Sequence, residues 1–303
     1  MEHNSYENLE KNLKSCRIEG FIINKDEKRV FEYFKNKKVQ EKHSKVYSIT
    51  KSITSILIGI LIDRGLIQTI HYPIYNYFPD IINNNESSKR NITIFHLLTM
   101  TSGLKVANYQ ASKNWVNSIL EQPAIYNPGT TFQYNSGNSH LLSAIITKVT
   151  DVSTADFANE SLFKPLGINK YSWRSDPQGI YEGGFSLSMN IDDMMKIGLL
   201  FLNNGRYNAK QIISPIWVSQ STSAYKNVGF SEYGTYGYGF QLWTFESNKT
   251  KDSIDYYYAN GIFGQYIFVV PKLNIVAVAK SQLQDNRKHL PKLYFEEYLR
   301  SLV

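Results

Sequence analysis

The segment Tyr47-Ser-Ile-Thr-Lys-Ser-Ile-Thr-Ser-Ile-Leu-Ile-Gly-Ile-Leu-Ile-Asp-Arg-Gly65 constrains the fold more than any other part of the chain. Ile53, Ile56, Leu57, Ile60 and Leu61 repeat at the i, i+3, i+4, i+7, i+8 spacing of a buried helical face. Ser48 stands where an N-cap or first-turn residue would be, and Gly65 ends the pattern. Such a helix must be enclosed by other elements. It also stacks Ser48 over Lys51, so that a hydroxyl and an amine meet on one face. That is the geometry of a Ser-x-x-Lys nucleophile.

Strand-like runs lie toward both ends of the chain. Arg17–Asn24 and Arg29–Phe34 are β-branched and aromatic, and Lys25–Lys28 between them predicts a hairpin. Tyr238–Thr244, Ser253–Ala259, Gln265–Val270 and Asn274–Ala279 predict further strands, punctuated by glycines and Pro271. From Leu66 to about Asn204 helical periods alternate with Pro, Gly and Asn, with helices predicted at Thr93–Thr99, His140–Val149 and Ile191–Leu202. Tyr6–Leu13, the region around Pro215–Ser219, and His289–Leu302 complete the helical set. Strands at both ends and helices in the middle predict an α+β fold. Residues 1–60 and 205–303 would form a discontinuous α/β sheet domain, with a mainly helical domain, residues 61–204, inserted between them. With 42% of its 303 residues apolar, the chain can bury a core of that size.

Composition removes several function classes. The net charge of +7 arises from lysines mixed with acids, as in Lys35, Lys37, Lys38, Glu41, Lys42 and Lys45, which predicts a solvated face and no nucleic-acid partner. Cys16 is the only cysteine, so neither an internal disulfide nor a cysteine-based zinc site can form. No His-Glu-x-x-His or carboxylate cluster at ligand spacing occurs, so no metal and no cofactor are expected. The apolar run Ile56–Ile62 is too short to span a bilayer. The first residues lack a basic stretch followed by an apolar one, which predicts a cytoplasmic enzyme unless an export segment precedes this chain. Oligomeric state is left open.

Ser-x-x-Lys also occurs at Ser102/Lys105, Ser161/Lys164 and Ser223/Lys226, so context has to choose among the four. Ser102 precedes Gly103 in a turn, Lys164 precedes Pro165, and Ser223 lies in a polar cluster. Only Ser48 opens a long buried helix, where the helix N-terminus favours an oxyanion and burial favours a neutral amine. Two further segments can carry chemistry. Gly129–His140 puts Tyr134, Asn135 and Ser136 on a loop before a helix, and Tyr257–Tyr266 places glycines beside a strand, where backbone can approach a substrate. A Ser-His-Asp hydrolase would show Gly-x-Ser-x-Gly, which is absent. His96 and His140 are therefore expected to be core or capping residues.

Taken in order, Tyr47-Ser-Ile-Thr-Lys51, Leu97–Leu104, Pro128-Gly129 with Tyr134-Asn-Ser136, Lys164-Pro-Leu-Gly167, Gly183-Gly184 through Lys196-Ile-Gly198, and Gly264–Pro271 resemble the serine β-lactamase and penicillin-binding-protein superfamily. They are most similar to its class C-like branch, which also holds esterases, D-amino-acid peptidases and nylon-oligomer hydrolases. The resemblance implies an antiparallel β-sheet flanked by helices, an inserted helical domain and an active site in the cleft between them. It implies Ser48 as the acylated nucleophile, Lys51 as its neutral general-base partner and Tyr134 as the proton relay that also activates the deacylating water. Ser136 would touch the lysine or the substrate. The backbone N–H groups of Ser48 and Ile262 would form the oxyanion hole, next to the Ala259-Asn260-Gly261 segment, with Asn260 and Gly261 lining the substrate. Met100, where relatives commonly have histidine, is expected to be structural.

The resemblance also carries a departure. Where relatives have Lys-Thr-Gly or His-Thr-Gly, this chain has Ala259-Asn260-Gly261, so the cation and hydroxyl that would meet a substrate carboxylate are missing. Such a charge-assisted contact is worth about 1.5–3 kcal/mol, and an ester or uncharged amide does not need it. The leading expectation is an ester or small-amide hydrolase. The alternatives are a true β-lactamase or D-alanyl-D-alanine carboxypeptidase, and a catalytically silent relative that binds cell-wall fragments or a partner protein.

Overall fold

Along the strand Gly20–Lys25 (β1), Phe21 and Ile23 enter one apolar core while Ile22 enters another. That alternation marks a strand covered on both faces. The computed structural model describes residues 2–16, 18–81, 87–248 and 254–302. Within them the other main strands are Lys28–Phe34 (β2), Lys226–Ser231 (β3), Gly234–Tyr238 (β4), Trp243–Ser247 (β5), Tyr256–Gly261 (β6), Gln265–Val270 (β7) and Ile275–Lys280 (β8). They form one eight-stranded sheet in the order β2-β1-β8-β7-β6-β5-β4-β3, with every pairing antiparallel.

Helices cover both faces. On one, Leu9 and Leu13 of Glu2–Ser15 (α1) and Phe295 and Leu299 of Leu290–Arg300 (α5) pack on Phe21, Ile23, Phe268 and Val270. Phe268 stacks on Phe295 with ring centroids 4.4 Å apart. On the other face, Ile49–Asp63 (α2), Ser136–Thr150 (α3) and Ile191–Leu202 (α4) share a core with Ile22, Ile267, Val269, Val276 and Val278. The predicted amphipathic helix is thus enclosed on nearly all sides, with every residue from Ile49 to Leu61 buried. This is an α+β fold with a large antiparallel sheet flanked by helices, as expected.

Several boundaries differ from the sequence reading, each for a local reason. Tyr238–Thr244 is not a strand but the end of β4, a reversal and the start of β5. The Gly239 N–H donates to Leu242 O at 2.8 Å and Gln241 takes a φ of 60°, so the chain turns where apolar and aromatic composition suggested that it would run straight. β3 escaped detection because this edge strand is partly exposed and carries Lys226, Asn227, Gly229 and Ser231. Helix α3 starts at Ser136, several residues before the predicted His140. Arg17 and Ser253, which begin two predicted strand runs, lie outside the described residues.

Lys280, at the end of β8, is 2% exposed and donates to Met189 O at 2.6 Å and Lys42 O at 3.1 Å. It ties the sheet to the linker that enters α2. Burial lowers its amine to about 8 from the usual 10.5, with Glu19 opposing. Between those two values the unfolded lysine holds a proton that the folded one has released, so its contribution to stability rises with pH. The stability of wild type relative to Lys280→Met should therefore increase by about 2 kcal/mol from about pH 7.5 to about pH 10, read from urea midpoints at each pH.

Candidate active site

The backbone reaches α2 through Tyr47, whose φ of 49° is a conformation that non-glycine residues rarely adopt. The Tyr47 ring packs edge-on against Phe263 at 5.0 Å, and its carbonyl accepts from Thr50 Oγ1 at 2.6 Å. The kink delivers Ser48 in helical geometry with no capping bond from its hydroxyl. Its side chain is thereby free to meet Lys51, whose Nζ lies 3.2 Å from Ser48 Oγ.

Lys51 is 1% exposed, and burial at this depth requires partners for its donors. Besides Ser48 it donates to Ser136 Oγ at 3.0 Å and to Gly184 O at 2.7 Å. Ser136 opens α3, held there by Asn135, the N-cap, which accepts from Gly137 N and donates to Leu104 O. Tyr134, just ahead, places its ring centroid 4.9 Å from Lys51 Nζ. Among the described residues its hydroxyl makes no hydrogen bond to Ser48 or Lys51. The ring stacks on Trp243 at 5.7 Å and meets Tyr238 edge-on at 6.2 Å. Phe132 closes on both of these, forming an aromatic wall beside the cluster.

The Gly261 end of β6 forms the opposite side. A Cβ on Gly261 would lie 2.3 Å from Val46 O, so only glycine lets this strand approach the residues leading into Ser48. Ile262 follows in the turn to β7, 47% exposed. Neither its N–H nor that of Ser48 has a hydrogen-bond acceptor among the described residues. Asn260 is set apart from this cluster. It pairs in register with Tyr266, and the strand alternation gives it the face of Tyr256 and Tyr258, away from α2. Ala259, on the α2 face, is buried and uncharged.

The other Ser-x-x-Lys pairs do not meet. Ser102 donates to Asn138 Oδ1, Lys164 pairs with Glu160, and Ser223 donates to Ser219 O while Lys226 reaches Thr130 O. Met100 is buried, and its sulfur accepts from Asn135 N, a structural position. His96 completes a capping box with Thr93 and is lowered by burial and then by His71. His140 is buried inside α3 beside Asp176, Nε2 to Oδ2 at 3.2 Å. Burial would raise Asp176, but hydrogen bonds from His140, Ile180 and Gln178 outweigh it and hold the carboxyl below its usual range.

Sequence reasoning missed two residues. Glu182 is a fully buried carboxylate beside Lys51, signalled only by its place before Gly183-Gly184. Gln241 accepts from Ser139 Oγ and Ser52 Oγ and donates to Leu97 O and Leu98 O, which joins α2, α3, the short helix Ile94–Leu98 and the β4–β5 turn.

An antiparallel sheet flanked by helices, with a buried lysine on a serine at the head of a helix, is the arrangement of the serine β-lactamase and penicillin-binding-protein superfamily. The chain belongs to the β-lactamase family, whose sequence profile, described as Beta-lactamase, matches residues 14–297. It is 22% identical over 307 aligned positions to the 6-aminohexanoate-dimer hydrolase of Paenarthrobacter ureafaciens, covering 91% of this chain and 76% of that protein. Among solved structures, EstCE1, a hydrolase with promiscuous acyltransferase activity, superposes with a TM-score of 0.79 at 14% identity over 98% of both chains. The octameric penicillin-binding protein homologue from Pyrococcus abyssi gives 0.76 at 18% identity, covering 99% of this chain and 76% of that one.

Gln241→Leu would leave the buried Ser139 hydroxyl without its acceptor and remove both side-chain N–H bonds to Leu97 O and Leu98 O, which would keep only their backbone donors. A loss of about 3 kcal/mol in unfolding free energy is expected, measured by urea denaturation.

Proposed function

We propose that this protein is a serine hydrolase that forms an acyl-enzyme on Ser48 and cleaves an ester or a small uncharged amide. The observation that carries the reading is the contact of a nearly inaccessible Lys51 amine with the Ser48 hydroxyl at 3.2 Å. In its neutral form that amine can take the Ser48 proton as Oγ attacks a carbonyl carbon. The negative charge that develops on the carbonyl oxygen would be met by the unpaired N–H groups of Ser48 and Ile262. Losing one such donor typically raises a barrier by about 2.7–4 kcal/mol. Tyr134 is the proton carrier in this reading: it would pass the proton to the leaving group and then draw one from the deacylating water, approaching Ser48 as substrate tightens the site. Water attack on the acyl carbon expels Ser48 Oγ, which recovers its proton. Ser136 keeps the amine in place.

Substrate class follows from what stands around this pair. Ala259 brings no charge to meet a carboxylate, and the exposed Tyr134 ring with half-buried Phe132 and Trp243, backed by the buried Tyr238, offers apolar and π contacts to an uncharged group. Family membership and the likeness to a 6-aminohexanoate-dimer hydrolase and to EstCE1 support acyl transfer chemistry.

Turnover of a p-nitrophenyl acyl ester, a chromogenic cephalosporin and a D-alanyl peptide tests the reading. The ester should be preferred, and intact mass should show one acyl group on Ser48. Ser48→Ala should abolish turnover and adduct, and Tyr134→Phe should lower kcat by about 100-fold or more. Preference for the cephalosporin or the peptide would move the assignment to a β-lactamase or carboxypeptidase. Tight binding without any adduct would make the protein a silent relative.

A further inference from the structure

Residues 181–186 form a turn in which four successive carbonyls and three successive N–H groups are committed. The carbonyls of Tyr181, Glu182 and Gly183 accept from Ser143 Oγ at 2.5 Å, Trp173 Nε1 at 2.7 Å and Thr54 Oγ1 at 2.9 Å. The next carbonyl, that of Gly184, accepts from Lys51. On the other side of the turn, Gly184 N donates to Glu182 Oε1 at 2.8 Å, while Phe185 N and Ser186 N donate to Oε2 at 2.5 and 3.0 Å. A carboxylate wrapped by three successive N–H groups fixes the direction of the peptide between them.

The same carboxylate lies near the amine without pairing with it directly. A Cβ built on Gly184 would be 2.9 Å from Glu182 Oε1 and 3.3 Å from Lys51 Nζ, so the two charged groups flank one small space that only glycine leaves open. Glu182 is 0% exposed. Burial raises its carboxyl above the usual range, against the pull of Lys51, of the Phe185 and Gly184 N–H groups and of His140. The titratable groups facing it are Lys51 from α2, His140 from α3, itself paired with Asp176, and Tyr109, whose phenol is raised by burial and by the Glu182 charge.

We propose that Glu182 is the positioning residue for Lys51: its carboxylate shapes the 182–186 turn so that the Gly184 carbonyl holds the amine on Ser48, and it serves as the buried counter-charge to that amine. The inference rests on the acyl-enzyme reading of Ser48 and Lys51. Both Glu182 oxygens are occupied by N–H groups, so a glutamine there would turn an NH2 toward a donor and release the turn. It would also remove the buried negative charge that stands near the amine.

The test is the rate of Ser48 acylation by a p-nitrophenyl ester, followed as the pre-steady-state burst from about pH 5 to about pH 9, with folding checked by near-UV circular dichroism. For Glu182→Gln the plateau rate should fall about 10–100-fold while ester affinity stays within about 3-fold. The acid limb of the rate profile should move down by about one pH unit. Glu182→Asp keeps the charge but not the reach, so it should lower the plateau and leave the acid limb in place. A folded Glu182→Gln enzyme with a wild-type profile overturns the proposal. So does a lower plateau with an unmoved acid limb, which is the signature of a purely structural role. Should Glu182→Gln not fold, Gly184→Ala pushes the same carboxylate and amine apart, and an unchanged acylation rate there would be equally decisive against it. Absence of any Ser48 adduct in the wild-type enzyme would instead remove the acyl-enzyme reading on which the proposal rests.

Discussion

An amine withdrawn from water must find acceptors for its N–H groups, and Lys51 finds them on three separate parts of the chain. Ser48 is on its own helix, Ser136 is 85 residues away at the head of α3, and Gly184 is 133 residues away in a turn. Each acceptor is itself held from behind. Asn135 caps the helix that begins at Ser136, Glu182 folds the turn that carries Gly184, and the left-handed Tyr47 frees the Ser48 hydroxyl from capping. The buried amine is thus the point where these segments converge, and in the proposed function it is the chemical centre as well.

The sheet supplies the frame for this convergence. Because its central strands are apolar on both faces, helices must cover both sides, and α2 packs on β6 and β7 while α4 covers β7 and β8. Gly261 lets β6 come within backbone contact of the residues before Ser48. The Gln241 turn then fixes α2 and α3 to the β4–β5 edge, which brings Trp243 behind Tyr134. The aromatic wall and the Ser–Lys pair are therefore positioned by the same few polar contacts.

Much of this was legible in local sequence, and what escaped did so for identifiable reasons. Ser48 and Lys51 could be paired because i and i+3 on a helix always share a face. The hairpin of β1 and β2, strand β7 and helix α4 stood at their predicted places because their periodicity and flanking turns agree. Tyr238–Thr244 misled because its composition favours a strand, whereas the side chain of Gln241 has three partners, and its backbone carbonyl a fourth, that exist only in the folded protein. Asn260 was expected at the substrate, but a strand alternates its faces and the register with Tyr266 assigns this residue to the far side. Glu182 was invisible because a glutamate before two glycines carries no helical or strand period.

The sequence by itself determined the elements with a strong period, the one Ser-x-x-Lys serine that opens a long buried helix, and through family resemblance the expectation that Ser48, Lys51, Tyr134 and Ser136 form one site. Tertiary structure decided which backbone carbonyl grips the amine, which face of β6 meets the cleft, and which buried carboxylate stands opposite Lys51. The physical reason is range. Helical and strand periods are set by neighbours a few residues apart, whereas the desolvation of a charge is resolved only when segments more than a hundred residues apart are folded onto it.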